Sequence, residues 1–394
     1  MASGRRKSDR RNEGSTIPRD DSRLRILVVS SLFYPHVGGA ERQARALAKA
    51  LRERGADVLI LTHTLKGAER WTTIDGTPVY RGIRAVGLGP LWGLTYMLST
   101  LWAITGLRTR YDLIHCQQLY LHAPIAVCCQ WWLKKPVVVR LACTRAYGDI
   151  AVMRKLRFGR LLLMVAGRAR RFVALSREGQ LEAQSMGVPP GNITIIPNAV
   201  LLSDMLSGLS SPGSENMLLF VGSLRKHKGL DHLLEAFAQL EGRWHLYLVG
   251  NGPQRSHLER RAIGLNIGAR VHFVGQLEDP SAYYARARLF VLPSLAEGLS
   301  NALLEAMAFE VPVVATRIGG NIDVVEHGVT GLLAEPENPG ALAEAMDRLL
   351  TDEPLARALA ANARCRVLRE YTLDGMVDRY LGVYQDLLGA RPDG

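Results

Sequence analysis

Leu289 to Ala308 reads L-F-V-L-P-S-L-A-E-G-L-S-N-A-L-L-E-A-M-A. Its first four residues are an apolar run that predicts a buried strand. The chain then turns at Gly298 and enters a helix that Ser300 is placed to cap. Strand, turn and helix in this order make one unit of a doubly wound α/β fold. The helix is almost wholly apolar, through Ala302, Leu303, Leu304, Ala306, Met307 and Ala308, yet Glu305 lies in its second turn and Glu297 just before it. A carboxylate on a buried helix is costly unless something polar meets it. The helix N-terminus beside Glu297 and Gly298 also offers free N–H groups to an anion. Either acid alone reads as a residue favouring a helix start or as a partly exposed side chain. Two acids eight positions apart around an anion-binding helix end suit a phosphorylated polyol.

The same grammar runs outward in both directions. Toward the N-terminus, Arg25 to Ser30 predicts a buried parallel strand, followed by the loop Tyr34 to Arg42 with Gly38-Gly39, then a helix from Gln43 to Arg54. Further strands are expected at Val58–Thr62, Leu113–Cys116, Val137–Leu141, Phe172–Leu175 and Ile193–Ile196, six in all for the first half. Leu202 to Asn216 is rich in Ser, Gly and Pro and reads as a linker. The pattern restarts with strands at Leu218–Val221, His245–Val249, Val271–Val274 and Val311–Ala315, and helical stretches close the chain, the last from Leu373 to Leu388. The domains are therefore a basic tail at 1–23 expected to be disordered, an α/β domain at 24–200, a linker at 201–216, and a second α/β domain at 217–372. A segment at 373–394 is expected to pack its helix back on the first domain and end in a tail. A cleft between two such halves is where a ligand binds.

Composition narrows the function. The 394 residues exceed one ordinary core, and 47% hydrophobic with 22% charged residues is the balance of a soluble globular chain. Five cysteines without C-x-x-C spacing suit neither a zinc site nor a disulfide framework, so a reducing cytoplasm is expected. The net charge of +12 is concentrated: Lys134 to Arg171 holds eleven basic residues against one acid, Asp149. Such a window attracts anionic lipid, an acidic substrate or nucleic acid, or is a solvated helical face. It lacks the interleaved aromatics of a nucleic-acid groove, so no nucleic-acid partner is expected. The tail has no apolar middle and cannot be a secretory signal. Leu91 to Leu107 is apolar but shorter than the roughly 20 residues of a spanning helix, and is expected in a core or resting on a membrane surface.

Other chemistry is not encoded in short motifs. No D-x-D stands at a strand end, no Cys/His cluster has ligand spacing, and G-x-S-x-G and G-x-G-x-x-G are missing, so neither metal nor cofactor is expected. The loop Gly222 to Gly229 places Arg225, Lys226 and Lys228 before a helix. Cations there are unfavourable by up to about 1 kcal/mol unless an anion joins them, and a diphosphate would; an exposed basic loop is the alternative. Gly319-Gly320 forms a third loop on the same sheet edge.

Taken together, Gly38-Gly39-Ala40-Glu41-Arg42, Ile196-Pro197-Asn198-Ala199-Val200, Gly222 to Gly229, Gly250-Asn251-Gly252-Pro253 and E-G-L-S-N-A-L-L-E resemble retaining glycosyltransferase family 4, over about residues 24 to 388. The resemblance implies a GT-B fold: two Rossmann-like domains facing a cleft, with the nucleotide-diphosphate sugar (UDP or GDP) in the second and the acceptor in the first. It implies Glu305 on the donor ribose, Glu297 on the donor sugar, and Lys228 on the diphosphate. Gly38, Gly39, Ser223, Gly298, Leu299, Ser300, Asn301, Gly319 and Gly320 would complete the donor site. Where the family commonly has Arg this chain has Ser223, with Arg225 two positions on. Where it tends to H-x-H this chain reads His115-Cys116-Gln117, so Gln117 stands nearest the reacting carbon, with His115 or His122 as substitutes. The acceptor hydroxyl attacks from the leaving-group face in this family, so no enzyme base is required. A lipid-linked or glycan acceptor of cell-surface polysaccharide or glycolipid synthesis is implied, handled at the inner, anionic face of the plasma membrane. The alternatives are an epimerase of the same fold, which would convert a nucleotide sugar without an acceptor, and a non-catalytic nucleotide-sugar binder.

Overall fold

The computed structural model describes residues 23–35, 38–201 and 216–389. The expected tail up to residue 22, the linker at 202–215 and the segment 390–394 lie outside them.

The first half runs β1 (Arg25–Val29), α1 (Gly39–Glu53), β2 (Asp57–His63), β3 (Trp71–Ile74), β4 (Thr77–Ile83), α2 (Pro90–Gly106), β5 (Leu113–Cys116), α3 (His122–Leu133), β6 (Val137–Leu141), α4 (Asp149–Arg154), α5 (Gly159–Ala166), β7 (Arg171–Ala174), α6 (Arg177–Ser185) and β8 (Ile193–Ile195). Its strands form one sheet in the order β3-β4-β2-β1-β5-β6-β7-β8, parallel except for β3 against β4. Eight strands therefore replace the six expected. The added pair is a hairpin turning on Asp75 and Gly76, both at positive φ (47° and 73°). Asp-Gly is a strong signal for that turn, but β3 is half exposed and β4 alternates buried with partly buried positions, so neither has the continuous apolar run of the central strands.

The second half runs β9 (Met217–Val221), α7 (Leu230–Ala238), β10 (His245–Val249), α8 (Arg255–Gly264), β11 (Val271–Gly275), α9 (Ser281–Arg286), β12 (Leu289–Leu292), α10 (Asn301–Ala308), β13 (Val313–Thr316), α11 (Gly319–Val324), β14 (Leu332–Ala334), α12 (Pro339–Thr351), α13 (Glu353–Glu370) and α14 (Leu373–Gly389). Its sheet is wholly parallel in the order β11-β10-β9-β12-β13-β14. The chain is a GT-B fold, two α/β sheets, parallel but for the edge strand β3, with helices on their faces.

Strand alternation divides the first core. Leu27 and Val29 face one side, with α2, α3 and α5. Ile26 and Val28 face the other, with Ala44, Leu47 and Leu51 of α1. Met376, Val377, Tyr380 and Tyr384 of α14 fill that second face, so the last helix packs on the first domain. In each sheet, connections leave the central pair in opposite directions: β1 lies between β2 and β5, and β9 between β10 and β12. The crevices beyond the carboxyl ends of β1/β5 and β9/β12 are thus the two topological switch points, where open α/β sheets bind ligands.

Asp149 ties the loops beyond β5 and β6. Its Oδ2 accepts from the backbone N–H groups of Leu119 (3.3 Å) and Ala142 (2.8 Å). Burial, partly opposed by those bonds, pushes its carboxyl up to about 6. Because the folded value lies above the unfolded one, Asp149's contribution is full below about pH 4 and is lost as pH rises to about 6. Asp149→Asn removes that loss. Its stability relative to the parent should climb by roughly 2–3 kcal/mol between pH 4 and 6, read as a widening gap in melting temperature. A gap independent of pH would contradict a proton-holding carboxyl.

Candidate functional site

The carboxyl ends of β9 and β12 open on a cavity of about 470 Å³ whose far wall belongs to the first domain. Gly38, Gly39, Arg42, Arg140 and Asn198 line it from that side; Ser223, Arg225, Lys228, Glu297, Leu299, Ser300, Asn301 and Glu305 line it from the other.

Each second-domain group is placed by a strand end. Lys228 sits in the loop leaving β9. The following Gly229 has φ 64°, and a Cβ there would lie 2.1 Å from the Pro293 carbonyl oxygen, so only glycine lets this loop close on the end of β12. Across that contact Lys228 pairs with the Glu297 carboxylate, and the Ser294 hydroxyl donates to the same Glu297 oxygen at 3.0 Å. Ser300 caps α10, its Oγ accepting from the Leu303 N–H at 3.4 Å. Glu305, read as partly exposed if it had no partner, is 3% exposed. Tyr284 Oη donates to its Oε2 at 3.0 Å, and Arg42 of α1 meets its Oε1 at 3.0 Å. Burial raises the Glu305 carboxyl, while Arg42 and Tyr284 pull it back toward the charged form.

Polar contacts continue across the cleft. Asn301 Nδ2 donates to the Gly39 carbonyl at 3.0 Å, and Asn198 Nδ2 donates to Asn301 Oδ1 at 2.8 Å and to the Leu299 carbonyl at 3.2 Å. Arg140 donates to Asn198 Oδ1 and to the Gln117 carbonyl. The Thr144 hydroxyl donates to the Glu297 carbonyl at 2.8 Å. Arg42, Arg140, Thr144, Asn198 and Tyr284 received no role from the sequence. Arg42 and Asn198 stood inside quoted motifs; the others carried no local signal.

Five expected site residues take other places. Gly298, Gly319 and Gly320 do not border the cavity. A Cβ on Gly298 would lie 2.2 Å from the Ala142 carbonyl oxygen, and one on Gly320 would lie 2.1 Å from the Gly298 carbonyl oxygen. These glycines let three backbone segments stack behind the Glu297 loop. His115 is fully buried, and its Nδ1 meets Tyr384 Oη at 2.6 Å. Burial lowers its imidazole to about 3, so it is neutral and unable to serve the cleft. The reason is strand parity: Ile114 and Cys116 face α2 and α3, which turns His115 toward α14. Gln117 is also buried, and its side chain does not line the cavity.

Comparison with known proteins follows this division. Residues 206–366 match the family described as "Glycosyl transferases group 1", and residues 38–199 match the "Glycosyl transferase 4-like domain". An N-acetyl-alpha-D-glucosaminyl L-malate synthase from Bacillus anthracis is 28% identical over 386 residues, covering 92% of this chain and 97% of that protein. The lipopolysaccharide core biosynthesis glycosyltransferase LpsE of Rhizobium meliloti is 30% identical over 184 residues, 47% of this chain and 53% of that protein. Among solved structures, Anabaena HepE in complex with UDP and glucose superposes with a TM-score of 0.77 at 21% identity, covering 92% of this chain and 100% of that one. The two family matches fall one on each domain, and the chain belongs to the group 1 glycosyltransferases, of the family 4 type with the GT-B fold.

The backbone contact at Gly298 sets the width of the cleft. Gly298→Ala must move Ala142 or its own loop, at a cost of about 1–3 kcal/mol. The expected result is a larger radius of gyration in solution scattering, with each domain still folded. An unchanged scattering curve and melting temperature would show that other contacts hold the domains at this distance.

Proposed function

We propose that the chain is a retaining, metal-independent transferase that moves a sugar from a nucleotide-diphosphate donor to a lipid-linked or glycan acceptor in cell-surface polysaccharide or glycolipid synthesis. One observation carries the reading: Lys228, Glu297, Glu305 and the start of α10 converge on one cavity at the β9/β12 switch point. The diphosphate lies on Lys228, Arg225 and the α10 N-terminus, where positive charge and free N–H groups meet it. Glu305 takes the ribose hydroxyls once Arg42 yields, and Glu297 takes hydroxyls of the donor sugar. The bond from the anomeric carbon to the diphosphate breaks as the acceptor oxygen bonds to that carbon from the same face. The acceptor proton passes to the leaving phosphate. Stabilising the charge on that phosphate is the main catalytic work. The UDP in the Anabaena structure supports a UDP-sugar, and the lipopolysaccharide role of the Rhizobium relative supports a surface-glycan acceptor.

The acceptor is met at an anionic, cytoplasmic membrane face. No helix among the described residues is long and apolar enough to cross a membrane. Yet Leu91, Leu94, Leu98 and Trp102 of α2, with Trp131 and Trp132 of α3, are exposed. Arg154, Lys155, Arg157 and Arg160 stand exposed on the neighbouring α4–α5 segment. Apolar side chains beside cations suit an anionic bilayer, each cation adding about 1 kcal/mol near the surface.

Glu297→Gln and Lys228→Ala should each abolish transfer with the fold intact by circular dichroism, Lys228→Ala at a lower melting temperature because it leaves the Glu297 carboxylate unpaired. Near-normal turnover in either would remove the assignment, and an inverted product anomer by NMR would remove retention. Vesicles rich in anionic lipid should sediment the protein at low salt, and less of it as salt rises. Equal recovery with neutral vesicles would defeat the electrostatic part.

A further inference from the structure

The first domain holds a second pocket at its own switch point, of about 400 Å³, separate from the donor cavity. Its lining comes from three strand ends and one helix: Ser31 and Leu32 beyond β1, His63 at the end of β2, Gln118 and Tyr120 beyond β5, and Trp92 and Tyr96 of α2. The volume is that of a small-ligand site.

Its walls are aromatic. Trp92 stacks on Tyr96 at 5.3 Å between ring centroids, His63 stacks on Tyr96 at 6.4 Å, and Tyr120 meets Tyr96 edge-on at 5.9 Å. Tyr96 is 1% exposed, and its hydroxyl is turned inward to His122 Nδ1 (3.2 Å) and Ser31 Oγ (3.4 Å). Ring carbon, not hydroxyl, is what it leaves to the pocket. The rim adds Leu32, 40% exposed, and the neighbouring face of α2 adds exposed Leu91 and Leu94. A sugar ring bound here would leave most of its hydroxyls facing carbon, at a cost for each unpaired group. A hydrocarbon chain loses nothing.

The two cavities are lined by neighbouring segments of the same loops. The loop that supplies Ser31 and Leu32 goes on to supply Gly38 and Gly39 to the donor cavity. Beyond β5, Gln118 lines the aromatic pocket, while the Gln117 carbonyl accepts from Arg140 of the donor cavity.

We propose that this pocket binds the hydrocarbon portion of the acceptor, so that the acceptor is an amphiphile whose sugar or polar end reaches the donor cavity while its apolar part lies among Trp92, Tyr96 and Tyr120. The role as acceptor site rests on the transferase reading; the binding of a hydrocarbon chain does not.

The test is saturation-transfer NMR with n-octyl β-D-glucoside below its critical micelle concentration and methyl β-D-glucoside beside it, without donor. Protons of the octyl chain should receive saturation, and methyl glucoside should receive little. Trp92→Ala and Tyr120→Ala should each lower the chain signal several-fold, whereas Trp92→Phe, which keeps the ring and guards against misfolding, should retain it. Trp102→Ala, on the same helix outside the pocket, should also retain it. Equal saturation of methyl glucoside would overturn the proposal in favour of a sugar-stacking site. A chain signal that survives both alanine variants, or falls only in Trp102→Ala, would overturn it in favour of adsorption on the helix surface. A melting-temperature shift with UDP on the same samples reads the donor cavity alone, so failure of either site is told apart from failure of the other.

Discussion

Three stretches of backbone lie against one another with no side chain between them: Ala142 from the first domain, Gly298 at the mouth of α10, and Gly320 at the start of α11. A Cβ at either glycine would overlap a carbonyl oxygen, so the approach is set by main-chain atoms, which do not adapt as side chains do. The remaining geometry hangs on this contact. It holds the Glu297 carbonyl within reach of Thr144, brings Asn301 to the Gly39 carbonyl and Asn198, and carries Glu305 up to Arg42. Glu297 and Glu305 share one strand–loop–helix unit, but their surroundings are completed by the other domain.

The two acids are handled by different physics. Glu297 has a local partner in Lys228, a loop residue of the same domain, so its charge is met whatever the first domain does. Glu305 is more deeply buried and has one neutral partner of its own domain, Tyr284, and one cation from the other, Arg42. Taking a carboxylate out of water costs several kcal/mol, and a good partner offsets that cost without guaranteeing a surplus. A side chain held in this way is one that a polar ligand can win from its protein partner, because the ligand replaces an existing bond rather than creating a new buried charge.

Much of the fold was legible because it is written locally. Each parallel strand is a short apolar run, and the two domains repeat one pattern on either side of the stretch at 202–215. The Asp75-Gly76 hairpin carried a local signal too, but its half-exposed β3 and alternating β4 did not resemble the continuous apolar runs. On the second-domain wall of the cavity, Lys228, Glu297, Ser300 and Glu305 were readable from motifs a few residues long. What was not readable depends on distant pairings. Arg42 finds Glu305, and Asn198 finds Asn301, only after both sheets exist. His115 was misplaced because a motif names a neighbour in sequence and not the face of a strand; the parity that sends Cys116 toward α3 sends His115 toward α14.

That last contact bears on how the protein is made. The face of the first sheet that includes Ile26 and Val28 is closed by Met376, Tyr380 and Tyr384, and the buried His115 has its hydrogen-bonding partner in Tyr384, 269 positions along the chain. The first domain's strands are all synthesised by Ile195, yet the part of this face that α1 does not cover stays open until α14 emerges. At ordinary elongation rates of about 5–20 residues per second that interval is about 10–40 s. The nascent domain therefore passes through a stage in which a finished sheet carries a half-covered hydrophobic side, the period when a holding chaperone has most to protect. A truncation before Leu373 would leave the newborn chain in that stage permanently.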